Sequence, residues 1–521
     1  MNFNYIKLGH LPKLSWAAQI KRSDETIDVY CGPWIETDEQ CFLEGAWNSP
    51  FEDKDFEKAT VFMGSGGKAL SQKAVFAAAT HSLERLFAIH QPDFICISNS
   101  LSFALSLSKS ELDPGYIAYQ ADYDSITLGL GKSGVKSLPL KGGRRITLFC
   151  HCNIEIGKDL NIATIPKQPV REFQDFTDYK TFLRSALHEI AQNALSKHRS
   201  RQYSLLATAS SGYDSSCVAA IAREVGCAEV LTFRNARSPK VQFFGKERCD
   251  GNYRQDSGET IARILGYENM IVRDYRDYLE EKTVTLEAES CASGNLCYDP
   301  TVVFEDDIRQ RVVLTGHYGD IIWDRNKTKV NSDLKWGGLS GASIYESRLR
   351  IGFIHAPVPY MGACSMHTIN EISFSEEMQP WVLSHGYDRP IPRRLLEEKG
   401  VPRDAFGQRK SAIQVILMGS KNNTLSKMTS VSAQSFSQYY KKHKRRRNVI
   451  KQLYYDFMTC LYFTSILLDK IPRKLRIPVR FKIFHKFMHE NLFKFSRSPG
   501  VASFLFSWGV SVIKTRYSIE E

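Results

Sequence analysis

The sequence has no long hydrophobic run and no cysteine framework. No uninterrupted apolar stretch reaches the roughly 18 residues that a membrane-spanning helix requires, and its first residues have no apolar core of a secretory signal. The 12 cysteines are scattered singly, apart from Cys150-His151-Cys152, which favours reduced, mostly buried thiols. These absences exclude a disulfide scaffold and an integral membrane protein, and they predict a soluble cytoplasmic protein.

Negative charge is scarce in only one part of the chain. From Lys421 to Glu521 there are 20 Lys and Arg residues against 5 Asp and Glu residues, which leaves 49 basic and 52 acidic residues before Lys421. The formal net charge of +12 therefore belongs to a basic tail and not to the body of the protein. Because the body is nearly balanced in charge, nothing requires the whole protein to bind nucleic acid.

The pattern of strand and helix signals in the sequence changes at about residues 165 and 420. Residues 1–165 contain short β-branched and aromatic runs between Gly, Asn and Asp turns, which are typical of strands. Apolar spacing predicts a helix over Thr177–Lys197, and alternating strand and helix patterns follow, as in a parallel sheet covered by helices. The sequence therefore predicts an α/β protein of three parts, 1–165, 166–420 and a mainly helical 421–521.

The strongest signal for a functional site is a strand, a polar turn and a helix between residues 203 and 226. Leu205–Ala209 is an apolar run suited to a buried parallel strand, and Gly226 is placed to end the helix. The residues of the turn that could hold phosphate oxygens at the helix N-terminus are Ser210, Ser211, Gly212, Asp214, Ser215 and Ser216. Asp214 would repel phosphate unless Mg²⁺ lay between them, so it is predicted as a metal ligand. The alternative is an ordinary helix cap.

The string from Ser210 to Ser215 resembles the SGGxDS fingerprint of the PP-loop ATP pyrophosphatases, which cleave ATP between its α- and β-phosphates. Ser211 stands where the first glycine of the pair is usual, and it adds a side chain close to the phosphates. No Gly-Lys-Ser/Thr follows, which excludes a Walker P-loop. The resemblance implies that the turn residues named above bind ATP.

A second segment, Val312–Trp323, resembles the SGxGxDE segment of the asparagine synthetase family. The resemblance implies that Asp320 holds Mg²⁺ opposite Asp214 and that Gly316 lies beside the nucleotide. Two residues depart from the family pattern, since His317 replaces an acid and Ile321 replaces a Glu. A histidine can transfer protons near neutral pH, so His317 is a candidate catalytic residue.

A third segment, Tyr387–Ala412, resembles the C-terminal region of the same family, where a lysine contacts the ATP phosphates and the acyl-adenylate. Lys410 is the candidate for that lysine, and Arg409 is its nearest rival. The resemblance extends in weak form over residues 1–420. It implies an N-terminal Ntn-hydrolase-like α/β sandwich, then a PP-loop (adenine nucleotide α-hydrolase-like) parallel-sheet domain with helices, and a mainly helical basic extension.

The first part of the chain has no residue suited to be the family's glutaminase nucleophile. That nucleophile is a cysteine exposed at the N-terminus, whose own α-amino group acts as the base, whereas this chain begins Met1-Asn2-Phe3. Cys31 or Cys41 could replace it only after removal of a pro-segment. The chain is therefore similar to β-lactam synthetases and lasso-peptide cyclases, which also have no working glutaminase.

Two further patterns have an ordinary structural interpretation. Gly64–Gly67 is more typical of a flexible turn than of a phosphate loop. Cys150-His151-Cys152 predicts a continuation of the preceding strand and not a metal site, because no second pair of ligands is nearby.

The sequence thus predicts a carbon–nitrogen ligase that uses ATP and Mg²⁺. It would adenylate a small-molecule or peptide carboxylate, release pyrophosphate, and join the acyl group to ammonia or an amine. The alternative is a catalytically degenerate nucleotide-binding or scaffold protein, which Ser211, His317 and Ile321 favour. A tRNA-modifying PP-loop enzyme is a third interpretation, but no CxxC pair for sulfur chemistry lies near the loop.

The basic tail alternates Lys and Arg with aromatic residues, beginning at the cluster Lys441–Arg447. Such interleaving suits an anionic membrane surface, an acidic partner or nucleic acid, and it predicts a peripheral membrane position as one possibility. The alternative is that Leu461–Leu468 and Val501–Ile513 are helices packed against the body, with the basic residues facing water.

Overall fold

The computed structural model describes residues 1–116, 118–237, 241–243, 246–249, 253–274, 286–325, 332–334, 340–383, 387–408, 415–417, 421–443 and 501–519. These residues form a mixed α/β structure with a seven-stranded mixed sheet and a five-stranded parallel sheet, which confirms the predicted class at that level. Among the helices of the described residues, none has the length and apolar character needed to cross a bilayer.

The described residues before Lys167 are mainly strands, as the sequence predicts. The strands are β1 (Asn2–Lys7), β2 (Trp16–Lys21), β3 (Thr26–Cys31), β4 (Glu36–Thr37), β5 (Cys41–Trp47), β6 (Phe62–Ala69), β7 (Lys73–Ala77), β8 (Leu86–His90), β9 (Phe94–Ser98), β10 (Val135–Pro139), β11 (Arg145–Phe149), β12 (Cys152–Gly157) and β13 (Ile162–Pro166). The helices between β9 and β10 are α1 (Leu101–Leu107), α2 (Tyr119–Asp124) and α3 (Leu130–Ser133).

These strands form two sheets that share a core. The seven-stranded sheet has the order β1-β3-β2-β9-β8-β11-β10, in which β1 and β3 are parallel and the other neighbours are antiparallel. The second sheet is antiparallel and has the order β13-β12-β7-β6-β5-β4. Trp16 and Ile97 of the first sheet pack with Phe42 and Phe76 of the second in one buried cluster. Burial of this apolar surface holds the two sheets face to face.

From Phe176 onward, the described residues contain both helices and strands. The helices are α4 (Phe176–Ala194), α5 (Tyr213–Glu224), α6 (Glu259–Ile264), α7 (Leu286–Ala292), α8 (Glu305–Ile308), α9 (Gly319–Ile322), α10 (Tyr345–Ile351), α11 (Met366–Phe374), α12 (Pro390–Glu397), α13 (Lys421–Leu425), α14 (Ser430–His443) and α15 (Val501–Lys514). The strands are β14 (Ser204–Ala209), β15 (Glu229–Phe233), β16 (Asn235–Arg237), β17 (Val241–Phe243), β18 (Lys246–Cys249), β19 (Tyr253–Gln255), β20 (Asn269–Arg273), β21 (Cys297–Tyr298), β22 (Arg311–Thr315), β23 (Ile354–Pro357) and β24 (Val415–Ile416).

The five-stranded sheet is parallel throughout and has the order β20-β15-β14-β22-β23. Its first strand in the chain, β14, lies in the middle. The chain continues to one edge through β15 and β20 and later to the other edge through β22 and β23. The strand order therefore reverses between β14 and β22, and open α/β sheets bind ligands beyond the carboxyl ends of the strands at such a reversal.

Three local features differ from the sequence predictions. Gly64–Gly67 lies inside β6, paired with β5, and is not a turn. Glycine is needed in this strand because a Cβ on Gly64 would lie 2.1 Å from the carbonyl oxygen of Glu44 on β5. His151 does not continue a strand, since it has a φ of 55° at the point where the chain leaves one sheet through β11 and enters the other through β12. β23 adds a strand in a region that the sequence predicts as mainly helical.

The described parts of the tail pack against the body. Phe506, Trp508 and Ile513 of α15 are buried, and α15 lies against α7, α1 and α2. For Val501–Ile513 this agrees with the alternative interpretation, in which this segment is a helix packed on the rest of the protein. Leu461–Leu468 and most of the basic cluster lie outside the described residues.

Candidate functional site

The two turns that resemble family motifs lie next to each other, at the reversal of the strand order. The turn that begins at Ser210 follows β14, and the turn that begins at Gly316 follows β22. The two strands are parallel neighbours, with Ala207 paired to Leu314. Their carboxyl ends therefore lie side by side at one edge of the sheet, and the space beyond them, called the crevice below, is where the sheet geometry favours a ligand.

The first turn is held in shape by its own hydroxyl groups. The Ser210 and Ser215 hydroxyls are 2.7 Å apart, and the Gly212 N–H donates to the Ser210 hydroxyl at 3.1 Å. The Ser216 hydroxyl donates to the Ser210 carbonyl. Gly212 is the N-cap of α5, and its backbone is extended, with a φ of −83° and a ψ of 173°. The turn is thus fixed at the start of a 12-residue helix, whose first N–H groups favour an anion.

Ser211, the departure from the SGGxDS pattern, has a specific partner. Its backbone N–H and its hydroxyl both donate to the Oδ1 of Asp256, the N–H at 3.2 Å. Burial raises the pKa of Asp256, and the two bonds from Ser211 oppose that rise. The Ser211 carbonyl accepts the N–H of Gly407 at 2.9 Å. The extra side chain therefore lies against Asp256, where it supports the turn.

Glycines allow the second turn to lie directly on the first. A Cβ on Gly316 would lie 2.6 Å from the carbonyl carbon of Asp214 and from the nitrogen of Ser215. A Cβ on Gly319 would lie 2.7 Å from the Cγ of Asp214. Both contacts are shorter than a side chain tolerates, so both positions require glycine. Gly316, predicted to bind nucleotide, thus brings the two turns into contact.

We expect Gly319→Ala to lower the free energy of unfolding by about 1–3 kcal/mol, because the added methyl group must displace Asp214. Chemical denaturation measures this change. Gly9→Ala is the matched control, since a Cβ there has nothing within 4 Å, and its effect should stay within about 0.5 kcal/mol. Equal stabilities of the two variants would contradict the close approach of the two turns.

Asp214, in the first turn of α5, is paired with a buried arginine. The Nη1 of Arg389 donates to the Oδ1 of Asp214, and Arg389 is only 2% exposed. Burial works against its charge, but the carboxylate of Asp214, with further contributions from Tyr387 and Asp320, offsets this and holds the pKa of Arg389 above its usual value. Among the described residues, Nε of Arg389 and Nε and Nη1 of Arg393 are buried N–H groups without a hydrogen-bond partner, although Nη1 of Arg393 lies 3.9 Å from Glu397. Such a cluster suits an anion that can accept further hydrogen bonds.

Asp320 lies in the first turn of α9, close enough for its charge to raise the pKa of Arg389. The preceding residue but one, Tyr318, is the N-cap of α9 with a φ of 77°. Its ring stacks on Tyr360 with centroids 4.2 Å apart. The stacked pair fixes the turn that carries Asp320, so this carboxylate is held at the crevice by local structure.

His317 contacts an acid that the sequence prediction missed. Its Nε2 lies 3.4 Å from the Oδ2 of Asp299. Burial raises the pKa of Asp299, but the hydrogen bond to His317, its charge when it is protonated, and hydrogen bonds from Thr301 together lower it more, so the pKa lies below its usual value. The His355 ring lies 5.4 Å away between centroids, and burial together with the charge of His317 holds its pKa well below 6.5. His317 therefore lies between an ionised carboxylate and a neutral imidazole.

The third segment that resembles the family also approaches the first turn. Lys410 and its rival Arg409 lie outside the described residues, which end at Gln408 before a gap. The preceding Gly407 packs on the ring of Tyr213, with a φ of 65°. The third segment therefore reaches the site through Gly407 and Arg389, and the role of Lys410 stays a prediction.

The donors around the crevice fit a magnesium ion that arrives with a nucleotide. In the part of the chain that the structure describes, no group of three or more His, Cys, Asp or Glu side chains could hold a metal ion. Mg²⁺ at nucleotide sites is commonly held by one or two carboxylates together with phosphate oxygens. Asp214 and Asp320, on two turns in contact, can supply that pair. The residues thus fit substrate-bound Mg²⁺ better than a resident metal.

The two cysteines considered for glutamine hydrolysis are not activated. Cys31 lies in β3, and burial raises its pKa to about 11. Cys41 lies in β5, and burial with the nearby Asp38 raises its pKa above the usual range. The Cys41 thiol donates to a carboxylate oxygen of Asp38 at 3.1 Å. Both groups are thiols at neutral pH, and only a thiolate is a good nucleophile.

Sequence reasoning missed Asp256, Asp299 and Arg389. Arg389 lies within the segment Tyr387–Ala412, but no local pattern distinguishes it from the other arginines there. No family model matches the chain, and no curated protein is significantly similar to it. Function is therefore inferred from the residues of the site.

Proposed function

We propose that this protein is an ATP-dependent amide ligase of the asparagine synthetase kind. The observation that supports the proposal best is the contact between the two turns that resemble its nucleotide-binding segments. Gly316 and Gly319 lie on the backbone and side chain of Asp214, although more than 100 residues separate the two turns. That contact occurs at the strand-order reversal, where α/β sheets place their ligands.

In the first step, a carboxylate oxygen of the substrate attacks the α-phosphorus of ATP. The bond between the α-phosphorus and the bridging oxygen breaks, and pyrophosphate leaves with the electron pair. The N-terminus of α5 and the arginine at Asp214 are positioned to bind the phosphate oxygens. When bound, Mg²⁺ would offset negative charge on the leaving pyrophosphate, held by Asp214 and Asp320.

In the second step, the nitrogen of ammonia or an amine attacks the carbonyl carbon of the acyl-adenylate, and AMP leaves with the electrons of the broken C–O bond. The attacking nitrogen must lose a proton. His317 can accept it, because imidazole is a base near neutral pH and the ionised Asp299 favours the imidazolium that forms. Asp299 acts through His317 and is a positioning residue.

The finer description of the fold belongs to the same proposal. We infer that the two packed sheets of residues 1–165 are an Ntn-hydrolase-like sandwich without its nucleophile, and that residues 166–420 are a PP-loop domain. The nitrogen would then come from free ammonia, an amine substrate or the same molecule that supplies the carboxylate. A cytoplasmic location agrees with this chemistry, since ATP is available there.

Calorimetric titration of Mg·ATP tests the proposal without knowledge of the carboxylate. The wild type is expected to bind ATP in a manner that requires Mg²⁺, and Asp214→Asn and Asp320→Asn to bind at least about tenfold more weakly. Asp306→Asn is the control, because its carboxylate is 91% exposed. A second experiment would then measure pyrophosphate release while carboxylates and amines are screened as substrates.

Two results would count against this function. If the wild type binds no Mg·ATP, the proposal fails and the degenerate scaffold is favoured. If both aspartate variants bind as tightly as the wild type, the nucleotide occupies a different site and the assigned roles are wrong.

A further inference from the structure

Arg389 and Asp214 form an ion pair between the start of α12 and the first turn of α5, and burial of the guanidinium costs free energy. Arg389 is the N-cap of α12, and its guanidinium is buried against the carboxylate predicted to face the metal. Removing a guanidinium from water is costly unless an anion compensates it. Asp214 provides that anion, and the two opposite charges offset each other.

The guanidinium has hydrogen-bonding capacity that the protein does not use. In the part of the chain that the structure describes, Nε of Arg389 is buried without a hydrogen-bond partner, while the Tyr387 ring packs 5.0 Å from its central carbon. A buried donor without an acceptor costs about 1–3 kcal/mol. An anion at the N-terminus of α5 would lie beside the same carboxylate and could accept this N–H. The cluster is therefore complete only with a ligand that carries several oxygen atoms.

A divalent cation and Arg389 compete for the same carboxylate. A metal ion bound to Asp214 would place three positive charges around one carboxylate if Arg389 stayed in contact with it. The guanidinium must then move to another anion, and the phosphate groups that accompany the metal are the nearest candidates. The charge of Asp320 also acts on Arg389. Arg389 and the metal ion would therefore both be attracted to the same two carboxylates, Asp214 and Asp320.

We propose that Arg389 is an internal cation that occupies Asp214 until a divalent metal ion displaces it, and that the released guanidinium then binds the pyrophosphate group of the ligand. This assignment rests on the proposed function, since it deepens the description of the same site. It makes metal binding weak without phosphate and strong with it. The protein would thereby avoid holding a metal ion in the absence of nucleotide.

The test measures Mn²⁺ binding by electron paramagnetic resonance, with no nucleotide present. Arg389→Gln is expected to bind Mn²⁺ about tenfold more tightly than the wild type, because the competing charge is gone. The gain should disappear in the double variant Arg389→Gln/Asp214→Asn. Arg394→Gln is the matched control on the same helix, since Arg394 pairs with Glu377 and Glu398 and not with the site.

A second titration uses inorganic pyrophosphate with excess Mg²⁺. Arg389→Gln is expected to bind pyrophosphate about tenfold more weakly than the wild type, as a charge-assisted bond is lost. Arg389→Lys keeps the charge but not the planar fork, so its Mn²⁺ affinity should stay near the wild-type value while its pyrophosphate affinity falls. Thermal melting of each variant verifies that it is folded.

Equal Mn²⁺ affinity in the wild type and Arg389→Gln would overturn the exchange, as would unchanged pyrophosphate affinity. These outcomes are separate from the failure of the proposed function. Mn²⁺ competition in a protein that binds no ATP would leave the exchange standing and refute the ligase. If ATP binding depends on Asp214 but Mn²⁺ and Arg389 do not compete for it, the exchange is refuted and the ligase proposal stands.

Discussion

Replacing Arg348 with methionine is expected to lower the free energy of unfolding by about 3–5 kcal/mol. Arg348 lies in α10 and is fully buried. Its Nη1 and Nη2 donate to the two carboxylate oxygens of Glu44 at 2.6 and 3.0 Å, and Nη2 also donates to Glu84 at 3.0 Å. Methionine fills much of the volume but leaves the two buried carboxyl groups without the guanidinium. Burial raises the pKa of Glu84 to about 8, so most of the uncompensated charge is on Glu44.

The physical reason is electrostatic. Burial works against the charge of Arg348, but Glu44 and Glu84 more than offset it, so its pKa is raised. The two glutamates belong to the first 165 residues, whereas the arginine belongs to the segment after residue 166. The ion cluster therefore joins the two-sheet part to the part with the parallel sheet, and its loss should destabilise the contact between them.

Urea unfolding measures the effect, with Arg394→Met as the control. Arg394 also pairs with two glutamates, but both glutamates are 35% exposed, and ion pairs open to solvent contribute about 0–1 kcal/mol. Adding Glu44→Gln and Glu84→Gln to Arg348→Met should restore part of the lost stability, because the uncompensated charges are removed. A loss below about 1 kcal/mol in Arg348→Met would show that the cluster does not stabilise the fold.

The local elements of the site could be predicted from the sequence because their signals act over a few residues. The prediction of a helix over Thr177–Lys197 agrees with Phe176–Ala194, and the predicted strand Leu205–Ala209 agrees with Ser204–Ala209. Apolar period and turn residues suffice for such elements. The contact of the two turns was expected only through the family resemblance.

Contacts between distant segments could not be predicted in this way. Asp256 lies 45 residues from Ser211, and Arg389 lies 175 residues from Asp214. Their proximity depends on which strands are neighbours, and one sequence contains no local signal for that order. Gly64–Gly67 illustrates a different difficulty, since glycine serves both flexible turns and close strand pairs.

We expect His317→Gln to slow amide formation by about 10²–10⁴-fold, which is the usual contribution of a general base. The exchange of pyrophosphate into ATP, which needs only the carboxylate substrate, should remain within a few-fold of the wild-type rate. The reason is that the attacking nitrogen loses its proton in the second step alone. Measuring both reactions with a carboxylate that supports exchange separates a base from a residue needed for folding.

Asp299→Asn separates the positioning role from the catalytic one. Because Asp299 is ionised beside His317, its neutralisation removes the charge that favours the imidazolium. The rate of amide formation should therefore fall, but less than in His317→Gln, while pyrophosphate exchange should stay within a few-fold of the wild-type rate. If His317→Gln slows exchange and amide formation equally, the histidine supports nucleotide binding or structure. An unchanged rate of amide formation in Asp299→Asn would mean that the carboxylate does not act on the base.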